Sequence, residues 1–356
     1  MKIALVTDTH WGARNDNSVF SNYFAQFFKN QFFPYLKANN ITRIIHLGDV
    51  VDRRKYINYQ THHSMMENFF KPIIENNIQL DVIVGNHDTY FKNTNHINSM
   101  EQLFGSMQIP NIRWYDNEPG EIEVDECKIF LLPWLCTNNV EKFMDAVANT
   151  KAQVLMGHLE LQGFELLRGS VCDHGQDPVL FNKFDIVCSG HFHHKSSSGN
   201  IHYLGTPYEL TWSDYNDPRG FHVFDTKTRH IEFIHSPLTM FNKIFYDDVN
   251  LTIDEITKID FRKYKNTFVK VIVKQKTNPY WFDLYIEKLE KVGLTDVQVV
   301  EDHLNLNLEG DDDIVNEAED TMTILKKYID SIEIDTDKQR LDKLIRSLYD
   351  EALSVE

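Results

Sequence analysis

Five apolar runs in this chain stop at side chains able to bind a metal, where a core strand would ordinarily stop at turn residues. They are IALVTDTH (3–10), RIIHLGD (43–49), LDVIVGNHD (80–88), QVLMGH (153–158) and DIVCSGHFH (185–193). Helical patterns at about 21–40 and 59–76 separate the first three, so the first 240 residues read as α/β layers with sheet buried on both faces. In such sheets ligands gather at the carboxyl ends of strands, where the loops converge. Segments far apart in sequence can therefore deliver polar groups to one place. Glycine stands just ahead of the polar group in LGD, VGNHD, MGH and SGH, which predicts a sharp backbone turn there.

The polar groups define a chemistry. Asp8 and His10, and again His191 and His193, are two apart at a strand end and can face one side. Asp8, His10, Asp49, Asn86, His158, His191 and His193 are the predicted ligands of two divalent ions, with Asp49 as the shared carboxylate. Imidazole mixed with carboxylate and amide oxygen suits manganese, iron or zinc better than calcium, and the lack of thiolate argues against a structural zinc site. A lone histidine in a core strand is more often structural than a ligand. The joint pattern outweighs that reading here, while His46, His174, His202 and His222 are left as ordinary histidines.

Beyond residue 240 the pattern changes. TFVKVIVKQK (267–276) alternates, YWFDLYIEKLEKVG (280–293) reads as an amphipathic helix, and DVQVVEDHLNLNL (296–308) returns to strand. These predict a small α+β capping domain over 241–310. An acidic linker follows, with nine acids and no Lys or Arg between Glu301 and Asp320, and a pair of amphipathic helices is expected within 311–356. Their stripes (Met322, Leu325, Ile329, Ile332, then Leu341, Leu344, Leu348) are candidates for partner docking or for packing on the chain's own body.

Charge decides what the chain can grip. Residues 1–240 carry 20 Lys+Arg against 27 Asp+Glu, and residues 241–356 carry 16 against 26, for a net of −17 overall. No basic stripe stands out, so a polyanionic substrate needs metal ions or a partner to supply positive charge. Four cysteines without CxxC spacing, no signal peptide and no membrane-length apolar run predict a cytoplasmic protein with reduced thiols.

The ordered set DxH…GDxxD…GNHD…GH…GHxH resembles the calcineurin-like metallophosphoesterases across about residues 1–235. The resemblance implies a four-layer α/β/β/α sandwich with a dinuclear centre. It assigns Asp8, His10, Asp49 and His193 to one ion and Asp49, Asn86, His158 and His191 to the other. His87 matches the family's non-ligand histidine, which serves the leaving oxygen, and Asp52 is expected to orient it by hydrogen bonding.

DTHWG and IHYLGTPYELTWSD (201–214) are similar to the SbcD-type DNA-repair nuclease branch, and the layout is similar to recombination-endonuclease subunits of T-even-type phages. That branch implies a manganese-dependent nuclease, magnesium being the other candidate metal. Its activities are exonucleolytic on double-stranded DNA and endonucleolytic on single strands. It implies a homodimer with an SbcC-like coiled-coil ABC-type ATPase, in the host cytoplasm if phage-encoded. GDVVDRR instead resembles protein phosphatases, which carry GNHE where this chain has GNHD. A phosphatase, a cyclic-nucleotide phosphodiesterase and a metal-free scaffold are the competing readings. Arg53 reads as a phosphate contact or a structural arginine, and Phe20 to Phe33 as core or as a dimer helix.

Overall fold

The structure is a computed structural model that describes residues 1–301 apart from 108, 168 and 169. Two six-stranded sheets stack face to face. In the first, Lys2–Val6, Arg43–His46, Gln79–Ile83 and Ile112–Tyr115 run parallel, and Gly220–Asp225 and Ile231–His235 add antiparallel beside Lys2–Val6. In the second, Cys127–Leu132, Val154–His158, Ile186–Gly190 and Ile201–Tyr203 are parallel, with antiparallel Gly120–Val124 and Ser196–Ser198 at the edges.

The alternation of side chains along each strand builds the layers. Ile3, Leu5, Ile45 and Ile83 face Ile129, Leu131, Val154 and Met156 between the sheets. Ala4, Val6, Ile44 and Val82 face outward to helices rich in phenylalanine. Phe130, Leu132, Leu155 and Val187 pack on the opposite side against Phe143 and Val147 of helix Val140–Asn149. The chain thus has the four layers expected of it.

Both early helices carry a turn that their periodicity did not reveal. The helical stretch from Ser18 to Ala38 opens into a π turn at Phe28–Phe32, and the one from Tyr59 to Glu75 does so at Met66–Phe70. In each case the residue just before a proline donates five residues back, Phe33 to Phe28 and Lys71 to Met66. Pro34 and Pro72 lack the N–H an α turn requires and would crowd its carbonyl, so the widened turn accommodates the ring. Phe20, Phe24, Phe27, Phe28 and Phe32 are all buried in the chain's own core, and Phe33 is partly buried against it.

A third sheet follows. Phe241–Asp247, Phe268–Gln275 and Asp296–Glu301 are parallel and pack with helices Ile253–Lys258 and Pro279–Glu290 around a separate core of Tyr246, Ile256, Val271, Tyr285 and Leu289. The middle strand is buried continuously from Val269 to Val273, not alternately, because both of its edges are paired and Lys270 covers the Trp212 ring (Nζ 4.2 Å from the centroid). The expected acidic linker and helical pair lie outside the described residues. No helix among the described residues is long and apolar enough to cross a membrane, and all four cysteines are buried and free.

Candidate metal centre

The loops after strands Lys2–Val6 and Arg43–His46 are zipped together by their backbones. Asp8 N–H donates to Gly48 O (3.0 Å), His10 N–H to Asp49 O (3.1 Å) and Trp11 N–H to Val50 O (2.9 Å), while Asp52 N–H returns to Trp11 O (3.0 Å). Asp88 is buried behind them and accepts from Val50, Val51 and Gly85 N–H and from Ser99 Oγ, which fixes the GNHD turn against the GDVVD turn. The second sheet delivers His158 at the end of one strand and His191 and His193 just after the next.

All seven predicted ligands converge. Asp8, His10 and His193 form one cluster and Asp49, His158 and His191 another, the candidate ligand atoms of each lying within 4.8 Å of one another. His10 also groups with Asp49 and His87 within that span, so the clusters are contiguous at Asp49. His10 Nε2 stands 3.1 Å from His193 Nε2, and Asn86 Oδ1 is 2.9 Å from His158 Nε2 and 3.0 Å from His191 Nδ1. Asp49 Oδ2 is 3.3 Å from His158 Nε2 and 3.8 Å from His10 Nε2.

The backbone turns as expected at Gly48 (φ 99°) but differently from the sequence expectation at the other strand ends. The left-handed conformation falls mainly on the ligands themselves: Asp8 (φ 50°), His10 (φ 42°), Asp49 (φ 55°) and His191 (φ 85°). Non-glycine residues rarely adopt it, and such strain collects at functional sites. Glycine is needed more for space. A Cβ at Gly190 would lie 2.0 Å from Thr7 Oγ1, and one at Gly85 would lie 2.3 Å from Asp49 Oδ1.

Electrostatically the centre is short of positive charge. Burial opposes ionisation of His10 and His158, yet Asp52, Asp49 and Asp8 raise His10 to about 9, and Asp49 and Asp8 raise His158 to about 9. Burial would raise the Asp49 carboxyl, but His158, His87 and His10 outweigh it and hold the group well below its ordinary value. Carboxylates buried among imidazoles, and two imidazole nitrogens facing each other at 3.1 Å, are what a site shaped for cations presents. The donor set fits divalent ions.

Asp52 acts in a way the sequence did not suggest. Its backbone carbonyl, not its carboxylate, holds His87 (Nδ1···O 2.6 Å), and its carboxylate reaches His10 Nδ1 (3.2 Å). His87 N–H in turn donates to Asp49 Oδ1 (2.8 Å). Burial lowers the His87 imidazole from its ordinary value. Arg53 pairs with Asp16 (3.1 Å) and bonds to Asn15 and Tyr56. Sequence reading passed over Trp134, whose ring lies 5.0 Å from that of His191, and Glu160, 3.6 Å from His191 Nε2. It also left His46 as ordinary. That residue is buried, contacts Thr9 Oγ1 at 3.0 Å, and is pushed down to about 3 by burial, so it supports the DTH loop as a neutral ring.

A phosphoesterase sandwich with clustered histidines and carboxylates at its strand ends is what fold and site define together. Residues 1–195 match the calcineurin-like phosphoesterase family, and the chain belongs to it. It is similar to exonuclease subunit 1 of Enterobacteria phage T4, with 34% identity over 354 residues and 99% of each chain covered. It is also similar to a subunit of the SbcCD nuclease of Staphylococcus saprophyticus, with 25% identity over 67% of this chain and 69% of that one. Among solved structures it matches an archaeal phosphodiesterase with a TM-score of 0.31 and 13% identity, over 66% of this chain and all of the other.

Proposed function

We propose that this protein is a metal-dependent DNA nuclease that hydrolyses phosphodiesters at a dinuclear centre. Asp8, His10, Asp49 and His193 would hold one ion, and Asp49, Asn86, His158 and His191 the other. The observation that carries the reading is the convergence of all seven side chains from two sheets, with Asp49 common to both sets. Full-length similarity to a phage exonuclease subunit supports DNA as the substrate.

When bound, the two divalent ions supply positive charge at the scissile phosphate and acidify water for in-line attack. The chain's own contribution is placement and proton transfer. Nδ1–H of His87 donates to the Asp52 carbonyl, so Nε2 is the nitrogen left for the departing oxygen. It gives a proton there only from the doubly protonated imidazolium, which burial disfavours and the neighbouring Asp49 favours. Asp52 is a positioning residue: its carboxylate fixes the His10 ring, as outer carboxylates do for ligating histidines.

Manganese is the proposed physiological metal. The unit from Phe241 onward is proposed as a capping domain, and residues 311–356 as the docking segment for an SbcC-like ATPase. Such a partner, in a homodimeric complex acting in DNA recombination and repair in the cytoplasm, would supply the positive surface that a chain of net charge −17 lacks. End-labelled duplex DNA incubated with manganese, with and without that ATPase, tests the reading. His87→Gln and Asp49→Asn should each abolish digestion while the protein stays folded. Faster turnover of a small chromogenic diester than of DNA would favour the phosphodiesterase alternative.

A further inference from the structure

At one edge of the sandwich the layer between the sheets changes character. Phe224 and Leu204 belong to its apolar core. Beside them His222, His202, Lys195 and Arg229 line a groove of about 440 Å³. His222 is only 5% exposed and pairs in register with Phe233, whose ring centroid is 5.1 Å from its own. Burial and the charge of Lys195 push that imidazole down to about 3. Lys195 rests over the Phe233 ring with Nζ 3.3 Å from the centroid. Ser196 Oγ, also on the wall, is buried with no hydrogen-bond partner among the described residues.

Lys195 and Arg229 give the groove its positive charge, and no aspartate or glutamate lies among its described lining residues. Asp217 is the carboxylate that acts on Lys195 from beside the wall. In a chain of net charge −17 that is an unusual place. None of the seven metal-centre residues contributes to its walls.

We propose that this groove binds the phosphate group of a nucleotide. An anion with several oxygens can accept from lysine, arginine and the orphaned serine hydroxyl at once, and charge-assisted bonds of this kind are the strong ones. Ile186, Leu204 and Ile231 give the groove an apolar stretch of wall for a base, and the volume lies in the range of small-molecule sites. The phosphate can belong to a free nucleoside monophosphate or to a DNA strand crossing the edge. The groove would bind phosphate whether or not the metal centre cuts DNA, so metal-free protein keeps the two questions apart.

Full-length protein treated with EDTA is titrated calorimetrically with inorganic phosphate, with dAMP and with a short DNA duplex. Saturable binding is expected, weakened at least about tenfold by Lys195→Gln and by Arg229→Gln and retained in Lys195→Arg. Both residues are half-buried, and the unfolding temperature of each variant is read alongside. Duplex binding that is tighter than dAMP binding and falls with the same substitutions assigns the phosphate to the DNA backbone. Binding of dAMP without duplex assigns it to a free nucleotide, and either result sustains the groove. Binding absent in all three titrations, or unchanged by both glutamine substitutions, overturns it.

Discussion

A methyl group on residue 190 would lie 2.0 Å from Thr7 Oγ1 and 2.9 Å from Asp8 Oδ2, and neither neighbour can retreat without moving a predicted ligand. Gly190→Ala should therefore destabilise the fold by about 1–3 kcal/mol, as overpacked sites do, and should weaken manganese binding more than a surface substitution of equal stability cost. Denaturant unfolding and calorimetric metal titration read the two effects separately. Asp52 gives a sharper test, because its two contacts are made by different atoms. In Asp52→Asn the carbonyl still holds His87, but the carboxylate charge on His10 is gone. Manganese affinity should fall roughly 10–100-fold, whereas His87→Gln should abolish turnover and leave metal affinity near that of the parent. Unchanged affinity in Asp52→Asn would remove the positioning role. The candidate ligands that the structure brings together were legible in the sequence because each stands at or just beyond the end of an apolar run. The division of labour within Asp52 was not, since nothing in the letters distinguishes a carbonyl contact from a carboxylate contact made by the same residue.

At the level of elements, the seam between the sandwich and the third sheet is crossed by aromatic packing such as Phe20 on Phe241 and Phe268, and by one buried carboxyl. Glu209 Oε2 accepts from the N–H groups of Met240 (2.5 Å) and Phe241 (2.9 Å), where the strand Phe241–Asp247 begins. Burial raises this carboxyl from 4.5 to about 7, against the lowering effect of the two N–H donors. The folded state thus binds the proton more tightly than the unfolded state. Stability from this group is fully present below about pH 4.5 and is lost as pH rises through about 7. The difference amounts to roughly 3 kcal/mol. Glu209→Gln keeps an acceptor oxygen for the two donors and should flatten the stability–pH curve across that window, measured by urea unfolding at several pH values. A parallel slope in the variant would contradict the assignment. Most parallel strands of the two sheets could be read from their apolar runs, but Ile112–Tyr115 could not, because IRWY carries a charge and buries only its first residue. Edge strands such as Gly120–Val124 and Ser196–Ser198 could not, because GEIEV and SSS carry little apolar signal and are held by pairing with their neighbours. The π turns at Phe28 and Met66 were hidden for another reason: a helix widened by one residue still presents an apolar face at nearly helical spacing.

Across the whole molecule, the metal centre is also a junction between the two sheets. Asp8, His10, Asp49 and Asn86 come from loops of the first sheet, and His158, His191 and His193 from strand ends of the second. Most of the layer between those sheets is apolar, built of residues such as Leu5, Ile45, Met156 and Cys188. Hydrogen bonds such as His158 Nδ1 to Leu47 O (2.7 Å) and Trp134 N–H to Val84 O (2.9 Å) join the sheets near the site. Ions bound across the junction would therefore cross-link the layers and relieve the repulsion among Asp8, Asp49 and their neighbours. Binding to the native state alone stabilises by about 2.7 kcal/mol at a free-ion concentration 100 times Kd. Manganese should accordingly raise the unfolding temperature in a concentration-dependent way, and EDTA should reverse the rise. In His158→Ala one cluster loses one of its two second-sheet donors and keeps His191, while Asp8, His10 and His193 are untouched. The rise should shrink without vanishing there. It should vanish in the double variant Asp49→Asn/His193→Ala, which removes the carboxylate proposed to serve both ions and the second-sheet donor of the Asp8/His10/His193 cluster. Differential scanning calorimetry over a manganese series distinguishes these outcomes. An identical rise in all three proteins would mean that the ions bind somewhere other than between the sheets.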